Sequence, residues 1–410
     1  MRGVHVVNAR NQPVPCQRMR DQSLVFLARN VPGLAARRYH VAPGHSVFSF
    51  SGLTPARARG GTLSNGLIQL HVNATTGAID SLYMKGIVGN LVNAKNKTAR
   101  GLDDYIYVLG AHAKNIMRSG RPVIGVLADG PLVAELEIRS SAPGCSVLIR
   151  RISLVAGRKE VYLSDLLDKQ QVYPKHEAVY LGFPFAVGHG VIRYDEPWSI
   201  IRLGRDQLKW AHKNSFTENR WVDVSNHRIG VTWAGISAPM FDVGRITSVT
   251  IEHGQPSPRH VVGGSTIYSY VMNNYWRTNY RAFQCGMAVF HYVLRPHRVF
   301  SRAAAQRFGL DTQQPLVTAL IAPHAKSFAP LLTVTPASVL VEACHPNQHG
   351  TLAVRLFNAG RHNATVHLMA GYAGKAVLFH TGLFGHHPQE LAGPLVLAPL
   401  QFATLQVKFK

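Results

Sequence analysis

The feature that most constrains the fold is an alternation of apolar and polar side chains with a period of two. Residues 68–72 and 403–410 alternate in this way, and no comparably clear period of 3.6 occurs elsewhere. Successive side chains of a β-strand point to opposite faces, so the pattern predicts strands with one buried and one wet face. Gly and Pro, 36 and 23 in number, recur between these runs at the spacing of sandwich turns. The sequence therefore predicts an all-β protein.

Several other segments have a strand-like composition, rich in β-branched and aromatic residues and bounded by turn residues. They are residues 4–7, 24–28, 39–41, 78–83, 145–155 and 231–234. The sequence Asn73-Ala-Thr-Thr-Gly77 joins residues 67–72 to residues 78–83, which predicts a hairpin. Amphipathic helices are scarce, and Ser301–Phe308 is the best short candidate.

The length of 410 residues indicates more than one domain, and 46% apolar residues suffice for a large core. Four segments are predicted. Residues 1–45 are too short to close a core alone and are interpreted as the tail of a truncated small β domain. Residues 46–62 are predicted to be a linker, residues 63–328 one large β region, and residues 333–410 a small C-terminal β-sandwich.

The chain is strongly basic, with 44 Lys and Arg against 21 Asp and Glu, a net charge of +23. The excess indicates either a solvated basic surface or a binder of polyanions. The first 60 residues contain nine Arg, no Lys and one acid, but no block of five like charges occurs. Nucleic-acid-binding arms concentrate their charge more than this, so nucleic acid is not the predicted partner. Loss of polyanion binding with salt would support the alternative.

Motifs of several large functional classes are absent from the sequence. No apolar run reaches 18 residues, and the first residues lack the apolar segment of a signal peptide, so the chain predicts no membrane segment and leaves the compartment open. No phosphate-binding Gly-rich loop with Gly-Lys-Ser/Thr, no Gly-x-Ser-x-Gly and no His-Glu-x-x-His occurs. The four cysteines are far apart and predict no zinc finger.

Carboxylates are the remaining candidates for hydrolytic chemistry, because a glycosidase needs two of them about 5 to 10 Å apart. The sequence alone selects no pair, since adjacent acids on a strand point to opposite faces. The acids considered are Asp103, Asp104, Asp165, Asp168, Asp195, Glu196, Asp223 and Asp242.

Residues 266–283 combine four Tyr, one Trp, three Asn and two Arg. Aromatic faces cover the C–H patches of a sugar ring, while amides and guanidinium groups bind its hydroxyls. The pair Asn273-Asn274 predicts a break that exposes residues 275–280. The alternative is a strand with core aromatics. The candidate substrate-binding residues are Asn274, Tyr275, Trp276, Arg277, Asn279 and Tyr280.

With this cluster the chain resembles the C-terminal β region of glycoside hydrolase family 38, the α-mannosidases. Five stretches in the order and spacing of that family carry the resemblance. They are residues 64–82, 174–185, 221–234, 270–280 and 292–297. The resemblance covers residues 64–330, and residues 333–410 fit the terminal β domain of the family more loosely. It implies a large antiparallel super-sandwich of the galactose-mutarotase-like type, followed by a small β-sandwich.

The resemblance also implies a catalytic half outside this chain. In the family, the aspartate nucleophile, the acid/base aspartate and a zinc site lie in an N-terminal α/β barrel and the helical bundle that follows it. The zinc is held by His and Asp, with a His-x-Asp pair near the start, and this chain has no His-x-Asp pair. No catalytic residue, metal ligand or cofactor is therefore assigned to this chain, and zinc is expected only in the catalytic part.

Two functional classes follow from these observations. The first is the β portion of an α-mannosidase-like hydrolase, which acts on an α-mannoside or related glycan with a separate or upstream catalytic barrel. The second is a stand-alone carbohydrate-binding or structural β-sandwich protein. A glycosidase that uses acids of the sandwich itself is a weaker third class, because no acid pair stands out.

Overall fold

The chain was analysed as a computed structural model. It describes residues 3–44, 52–110, 113–171, 175–247, 260–261, 263–275, 282–322, 327–347, 350–371 and 376–409.

The first described segment carries five short strands: β1 (Val4–Asn8), β2 (Pro13–Val14), β3 (Cys16–Arg18), β4 (Leu24–Phe26) and β5 (Tyr39–Pro43). They form a three-stranded sheet in the order β2-β1-β5 and a two-stranded sheet of β3 and β4. Gln17 ties them to the rest of the chain. Its side-chain oxygen accepts the backbone N–H groups of Leu132 and Val133, at 2.9 and 2.8 Å.

Most strands lie in the following β region. They are β6 (Arg57–Arg59), β7 (Thr62–Ser64), β8 (Ile68–Val72), β9 (Ile79–Met84), β10 (Asp104–Leu109), β11 (Ile116–Arg118), β12 (Val123–Asp129), β13 (Val133–Ala142), β14 (Cys145–Val155), β15 (Val161–Lys169), β16 (Glu177–Pro184), β17 (Val191–Glu196), β18 (Ser199–Arg202), β19 (Phe216–Thr217), β20 (Val222–Ser225), β21 (Gly230–Gly235), β22 (Met240–Val243), β23 (Thr266–Asn273) and β24 (Gly286–His297).

These strands form three antiparallel sheets. The largest has nine strands in the order β12-β13-β14-β15-β24-β21-β20-β17-β18, and a second has six in the order β11-β10-β16-β23-β22-β19. Side chains of both sheets share one core, in which the Phe183 ring of β16 lies 5.2 Å from Tyr292 of β24 and 5.6 Å from Trp233 of β21. This pair of sheets is the predicted large antiparallel super-sandwich, and the all-β class is confirmed.

The third sheet contains the predicted hairpin. Strands β8 and β9 pair as expected, and Ile68, Leu70 and Val72 are all buried on one face. The sheet continues through β7 to β6, in the order β6-β7-β8-β9. The predicted linker over residues 46–62 is therefore too long at its C-terminal end, because Arg57–Arg59 pairs with Thr62–Ser64. Alternation is hard to recognise in strands of three residues.

A helix, α1 (Arg302–Gln313), follows β24. Ser301 is its N-cap, and its hydroxyl accepts the N–H of Ala304 at 3.4 Å. The helix begins where the sequence predicts but runs past Phe308, which is buried. Helices of the length and apolarity needed to cross a membrane are absent from the described part of the chain.

The C-terminal strands are β25 (Leu332–Thr335), β26 (Val339–Asn347), β27 (Thr351–Asn358), β28 (Ala364–Ala370), β29 (Ala376–Thr381), β30 (Gln389–Glu390), β31 (Leu395–Leu397) and β32 (Phe402–Phe409). They form a three-stranded sheet, β25-β28-β31, and a five-stranded sheet, β26-β27-β32-β29-β30, around one apolar core. Ala403, Leu405 and Val407 of β32 are buried, as the alternation predicts. This is the predicted small sandwich.

Candidate functional site

A cleft of about 380 Å³ opens at one end of the super-sandwich, beside the predicted sugar-binding segment. Strands β15 and β24 of the nine-stranded sheet and β16 and β23 of the six-stranded sheet each begin or end there. Its lining includes Lys169, Glu177, Val271–Asn274, Phe283 and Gln284. The cleft therefore lies where the two sheets meet, next to Asn274.

A buried ion pair closes the floor of this cleft. The Nζ atom of Lys169, the last residue of β15, lies 2.6 Å from Oε1 of Glu177, the first residue of β16. Both side chains are at most 5% exposed. Lys169 Nζ also donates to the carbonyl oxygen of Gln170 at 2.7 Å. Removing one partner of a pair buried this deeply is strongly destabilising. The pair therefore holds the ends of the two sheets together.

Tyr107 lies beside this pair. Burial, followed by a hydrogen bond to the Glu177 carboxylate and its charge, holds the pKa of Tyr107 well above its usual range. Burial likewise raises the pKa of the neighbouring Cys145 thiol. Both groups therefore remain protonated at neutral pH, and neither is an activated nucleophile.

The structure describes two of the six predicted site residues, and the first is Asn274. Its Oδ1 accepts the N–H of Glu177 at 2.7 Å, and its Nδ2 donates to the carbonyl oxygen of Lys175 at 2.8 Å. Its own N–H donates to the carbonyl oxygen of Glu177 at 3.1 Å. Asn274 is only 4% exposed. Its amide therefore joins the end of β23 to the start of β16.

Tyr275 is the second described residue of the predicted site, and the prediction that it is exposed is wrong. Only 1% of it is accessible. Its hydroxyl donates to the carbonyl oxygen of Gly110 at 3.1 Å, and its ring stacks on His176 at a centroid distance of 6.0 Å. The strand does end at Asn273, as predicted. The Tyr275 side chain is nevertheless buried, because it and Asn274 form hydrogen bonds with backbone groups that would otherwise be buried without a partner.

The other four predicted site residues, Trp276, Arg277, Asn279 and Tyr280, lie outside the described residues. Their proposed contacts with sugar stay predictions. The described part of the segment shows where it starts, at the rim of the cleft and anchored by Asn274.

The acids considered as a catalytic pair are mostly held by structural contacts. Asp104 pairs with Arg100 at 3.0 Å, and Asp223 pairs with His297 at 2.6 Å. Asp195 accepts the N–H groups of Arg220 and Trp221. Each of these carboxyl groups is at most 1% exposed. Asp242 accepts the N–H of Thr247, and Asp168 accepts the hydroxyl of Ser146.

One pair of these acids does come together. Asp103 and Asp165 lie near each other in the core of the super-sandwich, where the charge of Asp103 raises the pKa of Asp165, and both are at most 1% exposed. Neither lines the cleft beside Asn274. A substrate has no described path to these two carboxyl groups, so their arrangement is that of a buried structural pair.

The ion pair of the cleft floor was not foreseen from the sequence, although a signal was present. Along β15 the inward positions are Val161, Leu163, Asp165, Leu167 and Lys169. The side-chain period of two places Lys169 and Asp165 on the buried face of β15. A buried charge requires a partner of opposite charge or a hydrogen bond.

A metal site would require a group of His, Cys, Asp or Glu side chains. In the ranges that the structure describes, no three His, Cys, Asp or Glu side chains are grouped so that they could hold a metal ion.

Comparison with known proteins shows which family part of the chain resembles. Residues 63–234 match the profile "Glycosyl hydrolases family 38 C-terminal domain". An alpha-mannosidase from Enterococcus faecalis V583 matches 100% of this chain over 51% of its own length, at 14% identity and TM-score 0.73. A second Enterococcus faecalis protein, of glycosyl hydrolase family 38, matches 100% of this chain over 53% of its length, at 14% identity and TM-score 0.72.

A galactose 1-epimerase from Lactobacillus acidophilus NCFM aligns with 58% of this chain and 94% of its own, at 10% identity and TM-score 0.34. No curated protein sequence matches the chain. The chain spans about half the length of the two family 38 structures. Residues 63–234 thus match the C-terminal domain of glycosyl hydrolase family 38, within a chain whose fold is similar to about half of two family 38 structures.

Proposed function

We propose that this chain is the C-terminal β-sandwich portion of an α-mannosidase-like glycoside hydrolase. It acts on α-mannosides only together with a catalytic barrel that this chain does not supply. The observation that carries the proposal is the match of the whole chain to 51% of an alpha-mannosidase at TM-score 0.73. The nucleophile, the acid/base residue and zinc belong, in this proposal, to the other half.

The chemistry of the cleft favours a positioning role for its residues rather than a catalytic one. Its described lining contains one carboxylate, Glu177, and that group is engaged by Lys169. Glycoside hydrolysis needs two carboxyl groups on opposite sides of the scissile bond. The cleft residues position the start of the 274–280 segment, whose aromatic and amide side chains would contact the glycan.

The experiment is an assay of purified 1–410 with an aryl α-mannoside, alone and co-expressed with the barrel half of a family 38 enzyme. We expect no turnover by 1–410 alone, because the one carboxylate in the described lining of the cleft, Glu177, is paired with Lys169. We expect turnover from the combination, abolished by a chelator. Turnover by 1–410 alone that survives chelation would contradict the proposal.

The size of the native polypeptide tests the stand-alone binding alternative. Intact mass of the polypeptide from its own source separates the two, since a product well above 45.0 kDa indicates an upstream half. A product of 45.0 kDa that binds mannosides, and no gain of turnover with any barrel half, would favour a carbohydrate-binding protein.

A further inference from the structure

A second cleft, of about 720 Å³, lies between the N-terminal strands and the segment that precedes β25. Four arginines line it, Arg10, Arg29, Arg37 and Arg38, together with Tyr39 and Phe328. We call it the arginine cleft. It shares no lining residue with the cleft beside Asn274.

Hydrogen bonds fix both walls of the arginine cleft. On one wall, the turn after β1 is closed by the side chain of Asn8, which accepts the N–H of Arg10 at 2.9 Å. On the other, Ala36 forms a β-bridge with Phe328, and the N–H of Arg38 donates to the hydroxyl of Ser327 at 2.9 Å. The arginines therefore project from backbone whose position is set by the fold.

The described lining of this cleft contains no Asp or Glu that could neutralise its positive charge. Arg10, Arg29 and Arg37 are exposed and form no ion pair with any carboxylate among the described residues. The sole acid of the first 60 residues, Asp21, is engaged by Ser23. Like charges gathered in one cleft raise the local concentration of anions.

We propose that the arginine cleft binds an acidic glycan, an oligosaccharide that carries sulfate or phosphate groups. The guanidinium fork matches such oxyanions with two parallel hydrogen bonds. A volume of about 720 Å³ lies in the range of small-ligand sites. The rings of Tyr39 and Phe328 supply faces for the C–H patches of a sugar.

The choice of a glycan rather than a nucleic acid rests on the proposed function and on the shape of the site. Single-stranded nucleic acids are bound along extended basic grooves with series of stacking aromatics. Here four arginines line one cleft, and the first 60 residues contain no block of five like charges.

The test measures binding of a heparin-derived tetrasaccharide and of a phosphorylated tetrasaccharide to full-length 1–410 by calorimetry at about 150 mM salt. The cleft variant is Arg29→Gln/Arg37→Gln. The matched control is Arg121→Gln/Arg298→Gln, which removes the same charge from two exposed arginines outside the cleft. Desulfated tetrasaccharide and a single-stranded DNA of equal charge complete the set, and circular dichroism verifies folding.

We expect about 5- to 30-fold weaker binding in the cleft variant, the sum of two exposed ionic contacts, and less than about a threefold change in the control. The tetrasaccharide that binds more tightly assigns the oxyanion as sulfate or phosphate. Equal losses in both variants, equal binding of the desulfated sugar, or no binding at about 1 mM would overturn the proposal. Tighter binding of the DNA would also overturn it in favour of a nucleic-acid site. No readout involves hydrolysis, so each result leaves the proposed hydrolase function to its own test.

Discussion

Arg150 is a fully buried charge of the super-sandwich, with 0% of its surface exposed. It lies on β14 directly opposite Asp165 of β15, and its Nη1 donates to the carbonyl oxygen of Asp103 at 2.7 Å. The Asp103 and Asp165 carboxyl groups are buried beside it, and their oxygens have no hydrogen-bond partner among the described residues. The cluster therefore holds one positive charge against two acids.

Burial raises the pKa of Asp103 to about 6, and burial together with the Asp103 charge raises the pKa of Asp165 well above its usual range. The Arg150 charge opposes both shifts, whereas the neighbouring Asp104 adds to that of Asp103. A carboxyl group whose folded pKa is raised binds more protons in the folded state. Its contribution to stability is therefore lost as the pH rises from about 4 through the folded pKa.

Replacement of Arg150 by Met should lower the free energy of unfolding by about 3 kcal/mol or more at about pH 8, and by less at about pH 5. Without the guanidinium, both acids favour protonation more strongly, and ionising them costs more in the folded state. Urea unfolding at the two pH values measures the difference. Arg139→Met is the control, because that side chain is 58% exposed and its loss should cost under about 1 kcal/mol. A loss independent of pH would contradict the charge argument.

At the scale of elements, the junction of β16 and β23 joins the fold to the predicted binding segment. Asn274→Ala should lower the free energy of unfolding by about 2 to 4 kcal/mol. It leaves the N–H of Glu177 and the carbonyl of Lys175 without their amide partner. Thermal unfolding measures this loss. Asn363→Ala removes an exposed Asn and should change stability by no more than about 0.5 kcal/mol.

Trp276→Ala tests the predicted segment itself. It should clearly weaken binding of methyl α-mannoside to the full chain and leave the melting temperature nearly unchanged. The reason is that an aromatic side chain in a binding site stabilises the bound ligand rather than the core. Calorimetric binding and thermal unfolding of the same preparation give the two numbers. Collapse of the melting transition without a separable loss of binding would favour a core position for Trp276.

At the scale of the whole molecule, side chains of the super-sandwich contact the small sandwich directly. The rings of Trp198 and Phe402 stack at 4.5 Å, and the guanidinium of Arg355 lies 5.2 Å from the Trp198 ring. Arg220 forms an ion pair with Glu342 at 2.6 Å. These contacts predict that the two sandwiches unfold together.

Trp198→Ala should therefore split the calorimetric unfolding of 1–410 into two transitions, with the earlier one shifted by the loss of about 2 kcal/mol of packing. Trp210→Ala is the matched control, because Trp210 is 87% exposed. It should leave the profile unchanged. Identical single transitions in both variants would show that the Trp198 contact does not couple the sandwiches.

The strand class and the inward faces can be predicted from the sequence alone. Alternation correctly places Ile68 and Leu70 inside β8 and Leu405 inside β32, and Ser301 correctly starts the helix. It also puts Arg150 and Lys169 on inward positions. These features are local, because a side chain's face follows from its place in the strand.

The contacts between buried charges and the burial of particular aromatic side chains depend on the tertiary structure. Lys169 reaches Glu177 because β15 and β16 lie in facing sheets, and Asp103 reaches Asp165 across 62 residues of chain. The burial of Tyr275 and the meeting of Arg10 with Arg37 in one cleft depend on the same long-range path. Periodicity specifies a face but not the neighbour beyond it, since strand order is set by the packing of the whole core.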